Sequence, residues 1–279
     1  MRAGYPTLGA VLSGLNHLHA WRGRTVVVKY GGSAMQRPDL RTSFARDIVR
    51  LHAAGVRPIV VHGGGPQIDG LMRRLGMTPR FVGGLRITDE DTMELVEMVL
   101  VGKINSDLVG LINQHGGRAI GLSGRDADLI IAHRHSADLG LVGDVELVNA
   151  DLVRLMVGSG LVPVIAPVAT GRDGETYNVN ADHVAAAVAA ALTAAMLLEL
   201  TDVPGVLDHD GRVLKSIDRA GLEQLARNGG IHGGMLPKVD AARQALDGGV
   251  ASVRIADGRR PHALVLALIG PDGGTEIGP

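Results

Sequence analysis

Short saturated apolar runs alternate with longer amphipathic ones along this chain. "TVVVKY" (25–30), "TSFARDIVRLHAAG" (42–55), "PIVVHGGG" (58–65) and "PQIDGLMRRLG" (66–76) follow one another with little between them. A strand that is apolar at nearly every position is buried on both faces, and helices with one apolar stripe supply the cover. The pattern therefore predicts βαβ units: an α/β fold, an open αβα sandwich around a mainly parallel central sheet. Further strands are expected at "RAIGLSG" (118–124), "LVPVIAPV" (161–168), "MLLELTD" (196–202) and "VASVRIAD" (250–257). Ligands of such sheets gather beyond the carboxyl ends of the strands, so the loops there are where chemistry is sought.

Two helices are sharply written. Residues 86–117 carry Thr88 with Asp91 three positions on, a capping-box spacing, then a long helical period with a bend expected near Gly102, closed by Gly116 and Gly117. Residues 182–195, "DHVAAAVAAALTAA", are apolar nearly all round and read as a helix buried on most faces. A boundary between two lobes is expected after this helix, with residues 1–194 in the first and 195–279 in the second.

Composition removes whole classes of function. The formal net charge is −1 with both signs spread along the chain, which leaves no basic stripe for nucleic acid or an anionic membrane. The absence of cysteine excludes disulfides, thiolate metal sites and a thiol nucleophile. The longest uncharged apolar run, 184–198, is short for a bilayer span, and the first 25 residues lack a signal-peptide pattern, so a cytoplasmic protein is expected. The histidines form no H-E-x-x-H set, and His133 and His135 are expected in a solvated loop; no protein-built metal site is indicated.

The strand ends carry glycine: Gly31 and Gly32, then Gly63 to Gly65, then Gly121 to Gly124, then Gly205. Each could be a tight turn only, yet four together favour backbone N–H groups aimed at a phosphate or carboxylate. No G-x-x-x-x-G-K-[ST] and no strand ending in G-x-G-x-x-G is present, which argues against a P-loop NTPase or an ordinary dehydrogenase. Lys29 ends the first strand, and Lys238 follows Pro237 in the first turn of a helix, where a cation opposes the helix dipole unless an anion sits beside it. The alternative for Lys238 is a side chain reaching to water. In "YNVNADHVAA", Asn180 or Asp182 is an N-cap, and Asp182 is also placed to hold two lysines. Arg86 is either a surface arginine or a fork for a carboxylate.

Beyond single motifs, "VVVKYGGSAM", "PIVVHGGGPQI", "GLRITDEDTMELVEMVLVGKIN", "AIGLSGRDA", "PVIAPV", "YNVNADHVA", "LTDVPGVL", "HGGMLPKV" and "ADGRRPHAL" occur in one order over nearly the whole length. In these stretches the chain resembles the acetylglutamate kinases of the amino acid kinase family. The resemblance implies ATP-dependent phosphorylation of the side-chain carboxylate of N-acetyl-L-glutamate, the second step of arginine biosynthesis. It implies Lys29 and Lys238 as transition-state stabilisers and Asp182 as the residue that orients them. Gly31, Gly32, Gly64 and Gly65 would donate N–H groups to phosphate and substrate. Arg86 and Asn178, with Asn180 close by, would contact acetylglutamate. ATP would lie near Thr201, Asp202, Gly205, Gly234 and Met235, with Mg2+ held mainly through its phosphates. The first lobe would then bind acetylglutamate and dimerise, and the second would bind ATP.

The resemblance also implies a homo-oligomer, a dimer or a ring-shaped hexamer interlaced by an N-terminal helix over residues 7–21. Arginine-inhibited members carry a tyrosine, a lysine and a glutamate where this chain has His17, Met196 and Ala267, so arginine inhibition is expected to be weak or absent. A related kinase acting on carrier-bound aminoadipate or glutamate, and a non-catalytic amino-acid or nucleotide sensor, are the competing readings.

Overall fold

The run at 25–30 forms β1 (Thr25–Tyr30), and Val26, Val27 and Val28 on it are completely buried, as a strand covered on both faces requires. The computed structural model describes residues 8–231, 233–270 and 273–278. Before β1 lies helix α1 (Leu8–His19) and after it come α2 (Pro38–Ala53), β2 (Arg57–His62) and α3 (Gly65–Arg74). A short hairpin of β3 (Phe81–Val82) and β4 (Leu85–Arg86) leads into α4 (Glu90–Glu97), a π-helical stretch (Met98–Asn105) and α5 (Ser106–Gln114). Next are β5 (Ala119–Ser123), β6 (Ile130–Arg134), β7 (Val142–Val148), α6 (Ala150–Gly158), β8 (Val162–Ala166), β9 (Val168–Gly171), β10 (Thr176–Val179) and α7 (Ala181–Ala191). The remainder is β11 (Met196–Thr201), β12 (Ser216–Asp218), α8 (Arg219–Arg227), α9 (Leu236–Asp247), β13 (Val253–Asp257), α10 (Ala263–Ile269) and β14 (Thr275–Gly278).

Among the described residues, eight strands build one sheet in the order β12-β14-β13-β11-β1-β2-β8-β5. Six run parallel, from β13 to β5; β14 pairs antiparallel to β13, and β12 follows β14 at that edge. The alternation of side chains sorts the core into two layers. Val26, Val28, Leu198 and Leu200 face α2, α10 and the α4–α5 rod, whereas Val27, Ile59, Leu197 and Ile255 face α7, α9 and a small closed barrel of β10, β7, β6 and β9. This is the expected α/β sandwich. Because β1 has β2 on one side and β11 on the other, the chain's two directions of winding part between β1 and β11, where a crevice opens at the strand ends. No helix among the described residues is long and apolar enough to cross a membrane.

Several local expectations are corrected. Asp89 caps α4, its carboxylate accepting from Thr92 N at 3.0 Å, instead of Thr88, whose hydroxyl donates to Arg86 O at 2.9 Å. The bend expected near Gly102 is a π-helical segment embedded in the rod. The single strand expected at 161–168 is two, β8 in the large sheet and β9 in the small barrel, with Pro167 between them. Helix α7 stops at Ala191, and Thr193 in left-handed backbone (φ 48°) turns the chain toward β11. His133 lies on β6 and not in a loop; His135 follows it, exposed and paired with Asp144. Gly121 lies inside β5. The helix expected at 7–21 spans Leu8–His19, residue 7 being outside the described residues, and Trp21 fastens its exit by donating from Nε1 to Leu268 O at 3.2 Å.

Candidate active site

Lys29 is the penultimate residue of β1, and the pleat turns it to the side of the sheet that carries α7 and α9. Both helices begin there. Asn180 caps α7, its side-chain oxygen accepting from Asp182 N at 2.8 Å, which sets Asp182 in the first turn. Leu236 begins α9, and Pro237 and Lys238 follow it in the first turn. Lys29 Nζ lies 2.8 Å from Asp182 Oδ1, and Lys238 Nζ lies 3.0 Å from Oδ2. All three residues are less than a tenth exposed. The two alternatives kept for this segment are thus divided between neighbours: Asn180 caps, and Asp182 holds the lysines.

Charge is unevenly distributed in this cluster. Burial would raise the Asp182 pKa, but the charges of Lys29 and then Lys238 outweigh it and hold the carboxyl well below the usual range. Burial would lower the Lys238 pKa, yet the charges of Asp182 and Glu199 leave it raised. Glu199, completely buried on β11, behaves oppositely to Asp182: burial first, then repulsion from Asp182, pushes it up to about 8.

Two cavities meet at Lys29. One, of about 240 Å³, is lined by Gly31, Gly63 to Gly65, Arg86, Asn178, Asn180 and Asp182 among others. The other, of about 640 Å³, is lined by Thr201, Asp202, Gly205, His209, Gly234, Met235 and Lys238 among others. Lys29 and Gly32 line both. The fold thus gathers the residues singled out in the sequence into two adjoining spaces, one on each side of a lysine. Gly121 and Gly124 line neither.

The loops are held tightly. Gly32 has φ +71°, and a Cβ on it would lie 2.5 Å from Asp202 Oδ1. That carboxylate accepts from Ser33 N at 2.9 Å and Ser33 Oγ at 2.8 Å, tying the loop after β1 to the loop after β11. A Cβ on Gly64 would lie 2.5 Å from Ile104 and Leu100, so the second glycine loop packs directly on the π-helical segment. Beneath it Asn105 donates from Nδ2 to His62 Nε2 at 3.2 Å and to Val164 O at 2.8 Å. Burial lowers the His62 pKa to about 4, so this histidine is neutral at pH 7.

Arg86 is no surface residue: it is 7% exposed. Its Nη2 pairs with Asp69 Oδ1 at 2.6 Å, and its guanidinium lies 4.8 Å over the Phe81 ring. Asn178 donates from Nδ2 to Thr88 Oγ1 at 3.2 Å. Asp69, Phe81, Asn105 and Glu199 were not reached by reading the sequence. A signal for Asp69 exists, an acid on the helix opened by "HGGGPQ", but nothing local ties it to Arg86.

The sequence profile of the amino acid kinase family matches residues 24–257. An acetylglutamate kinase of Syntrophobacter fumaroxidans is 47% identical, the alignment covering 96% of this chain and 95% of that one. An acetylglutamate kinase of Stutzerimonas stutzeri is 48% identical, over 95% and 91% respectively. Among solved structures, smu.665 from Streptococcus mutans UA159 superposes with a TM-score of 0.78 at 30% identity, covering 91% of this chain and 98% of its own.

Proposed function

The chain belongs to the amino acid kinase family, and we propose that it transfers the γ-phosphoryl group of ATP to the side-chain carboxylate of N-acetyl-L-glutamate. The product is N-acetyl-L-glutamyl 5-phosphate, and the step belongs to arginine biosynthesis. The observation that carries the reading is Lys29, shared by two cavities and bound with Lys238 to one buried aspartate.

The nucleophile needs no base. A glutamyl carboxylate, with a pKa of about 4.3, is already ionised at pH 7. An oxygen of that carboxylate forms a bond to the γ-phosphorus while the bond to the bridging β,γ-oxygen breaks, and ADP leaves with that electron pair. The barrier is repulsion between anions, so catalysis consists of positioning and charge stabilisation. The smaller cavity suits acetylglutamate: Arg86, stacked on Phe81 and steadied by Asp69, and Asn178 offer donors to the substrate, with Asn180 beside them. The larger cavity is of nucleotide size, and Thr201, Asp202, Gly205, Gly234 and Met235 in its lining would then surround ATP. Gly31, Gly32, Gly64 and Gly65 line the smaller cavity, Gly32 the larger one as well, and their backbone N–H groups would serve phosphate and substrate there. Lys29 then meets the transferring phosphoryl group from the junction and Lys238 from the nucleotide side, both held in place by Asp182.

Magnesium fits this arrangement as a companion of the nucleotide. The Asp182 oxygens are taken by lysines and those of Asp202 by Ser33, so phosphate oxygens and water are its natural ligands. When bound it supplies further neutralisation of the phosphates. We place the enzyme in the cytoplasm and expect a homo-oligomer.

The test is ATP-dependent acyl phosphate formation, trapped with hydroxylamine, with N-acetyl-L-glutamate, free glutamate and aspartate offered separately. Hydroxamate from the acetylated substrate alone is expected. None from any of the three, with folded protein, would refute the proposal and favour a carrier-bound substrate or a non-catalytic sensor.

A further inference from the structure

Glu199 has no part in the chemistry above, and its position is unusual. In the parallel register of β1 and β11 it lies directly beside Lys29, and both side chains point to the face covered by α7 and α9. It is completely buried, and neither carboxylate oxygen has a hydrogen-bond partner among the described residues. A leucine of similar size would pack between Leu197 and Ile255 with no desolvation penalty, so nothing about packing calls for a carboxyl here.

The surroundings define what the carboxyl can do. On β1 its register partner is Lys29, and the other charges that act on it are those of Asp182 in the first turn of α7 and Lys238 in the first turn of α9. On β13 its register partner is Ile255, and Asp257 further along is paired with Arg259. Helix α10 and the turn at Gly32–Met35 bring no titratable group. Lys29 and Lys238 against Asp182 leave one positive charge in surplus when Glu199 is neutral, and none when it is ionised.

We propose that Glu199 is a positioning residue that retains its proton during phosphoryl transfer, so that the Lys29–Asp182–Lys238 cluster faces its anionic substrates with a surplus positive charge. The inference rests on the phosphoryl-transfer reading of the site. Burial and the Asp182 charge, which push this carboxyl up to about 8, keep it neutral at pH 7. Ionisation places a second anion beside the lysines and weakens the pull on the γ-phosphate. By reciprocity, an anion bound at the cluster raises the proton affinity of Glu199, so nucleotide and proton bind together.

The experiment compares wild type with Glu199→Gln, and with Glu199→Leu in case the amide disturbs folding. Steady-state rates with saturating acetylglutamate are followed from pH 6.5 to 9.5. The wild type is expected to lose kcat/KM for MgATP above about pH 8, by about fivefold or more relative to Gln at the alkaline end. The variants should stay flat until the lysines titrate. Calorimetry of MgADP binding at pH 8, in two buffers of different ionisation enthalpy, should show the wild type taking up as much as about half a proton more than either variant. Superimposable alkaline limbs, or equal proton uptake, would overturn the proposal. No turnover by any of the proteins while MgADP still binds would refute the phosphoryl-transfer reading, and the proton count would still decide for or against Glu199.

Discussion

Replacing Asp182 with asparagine keeps the shape of the α7 terminus and removes the charge that both lysines share. The wild-type contacts are 2.8 Å and 3.0 Å, between side chains only about a tenth exposed. At an effective dielectric of about 20, each is a gross attraction of roughly 6 kcal/mol, most of it offset by the desolvation of the ions. Removing one partner leaves the desolvation and takes the attraction, for a typical net loss of about 3–5 kcal/mol. Here Glu199 can soften the loss. Asp182 is one of the causes that keep its carboxyl neutral, so without that charge Glu199 ionises more readily and partly restores balance.

The single variant should therefore lose about 3 kcal/mol, and Asp182→Asn combined with Glu199→Gln more than the sum of the two changes. Urea unfolding at pH 7 reads this through the midpoint at constant slope. The pH dependence has a definite sign. A depressed aspartate contributes stability that is present above its unfolded pKa and lost as pH falls through the folded value, so the gap between wild type and Asp182→Asn should hold from pH 5 to 7 and close only in strong acid. Activity should fall by about 10²–10³, the scale of one lost preorganised electrostatic contact. A stability change below about 1 kcal/mol would show that Asp182 is not what holds the lysines, and strict additivity in the double variant would show that Glu199 does not compensate for its loss.

Four further outcomes are expected. Glu199 has its pKa raised to about 8, so its contribution to stability is fully present below about pH 4.5 and lost as pH rises toward 8; thermal unfolding across that window should show a decline that Glu199→Gln abolishes. Gly32→Ala puts a Cβ 2.5 Å from Asp202 Oδ1 at φ +71°, and should raise KM for MgATP by about tenfold and cost about 1–2 kcal/mol in urea unfolding. Arg86→Lys keeps a charge near Asp69 but loses the planar fork and the stack on Phe81, so KM for acetylglutamate should rise about tenfold or more while kcat changes little. Arginine at millimolar concentration should leave activity within about twofold, because buried Met196 and Ala267 and exposed His17 offer neither a carboxylate to a guanidinium nor an ammonium to its carboxylate; strong sigmoidal inhibition would refute this.

What could be read from the sequence was what local chemistry states. β1 is legible because a strand buried on both faces has no freedom to be polar, and Lys29 stands out on it for that reason. Lys238 is legible because a cation in a first helical turn demands an anion. The misreading at the start of α4 is a one-residue matter between two adjacent capping types, decided by the Thr88 hydroxyl being drawn back to Arg86 O. Asp69, Phe81 and Glu199 are different. In "MLLELTD" nothing local says what the glutamate faces, and only the pairing of β1 with β11, more than 160 residues apart, puts it next to Lys29. Likewise the separate glycine turns could not reveal that two cavities share a single lysine, because that depends on which strand ends the winding makes neighbours.

Asp182 and Glu199 are two carboxyls in one buried cluster whose environments drive them to opposite states, one charged between two lysines and the other kept neutral by burial. In enzymes that move protons, such a divergence marks an acid and a base. Here the attacking carboxylate is ionised before it binds and the leaving group is a phosphate, so no proton has to move in the transfer itself. The divergence serves a count of charge instead. Two lysines near one aspartate leave the site attractive to anions only while the second carboxyl stays neutral, and the sheet enforces this by placing Glu199 beside Lys29 where water cannot hydrate an anion. The chain thus accepts a buried polar group that weakens the folded state as pH rises, at the position where its proton controls the charge that faces the substrates.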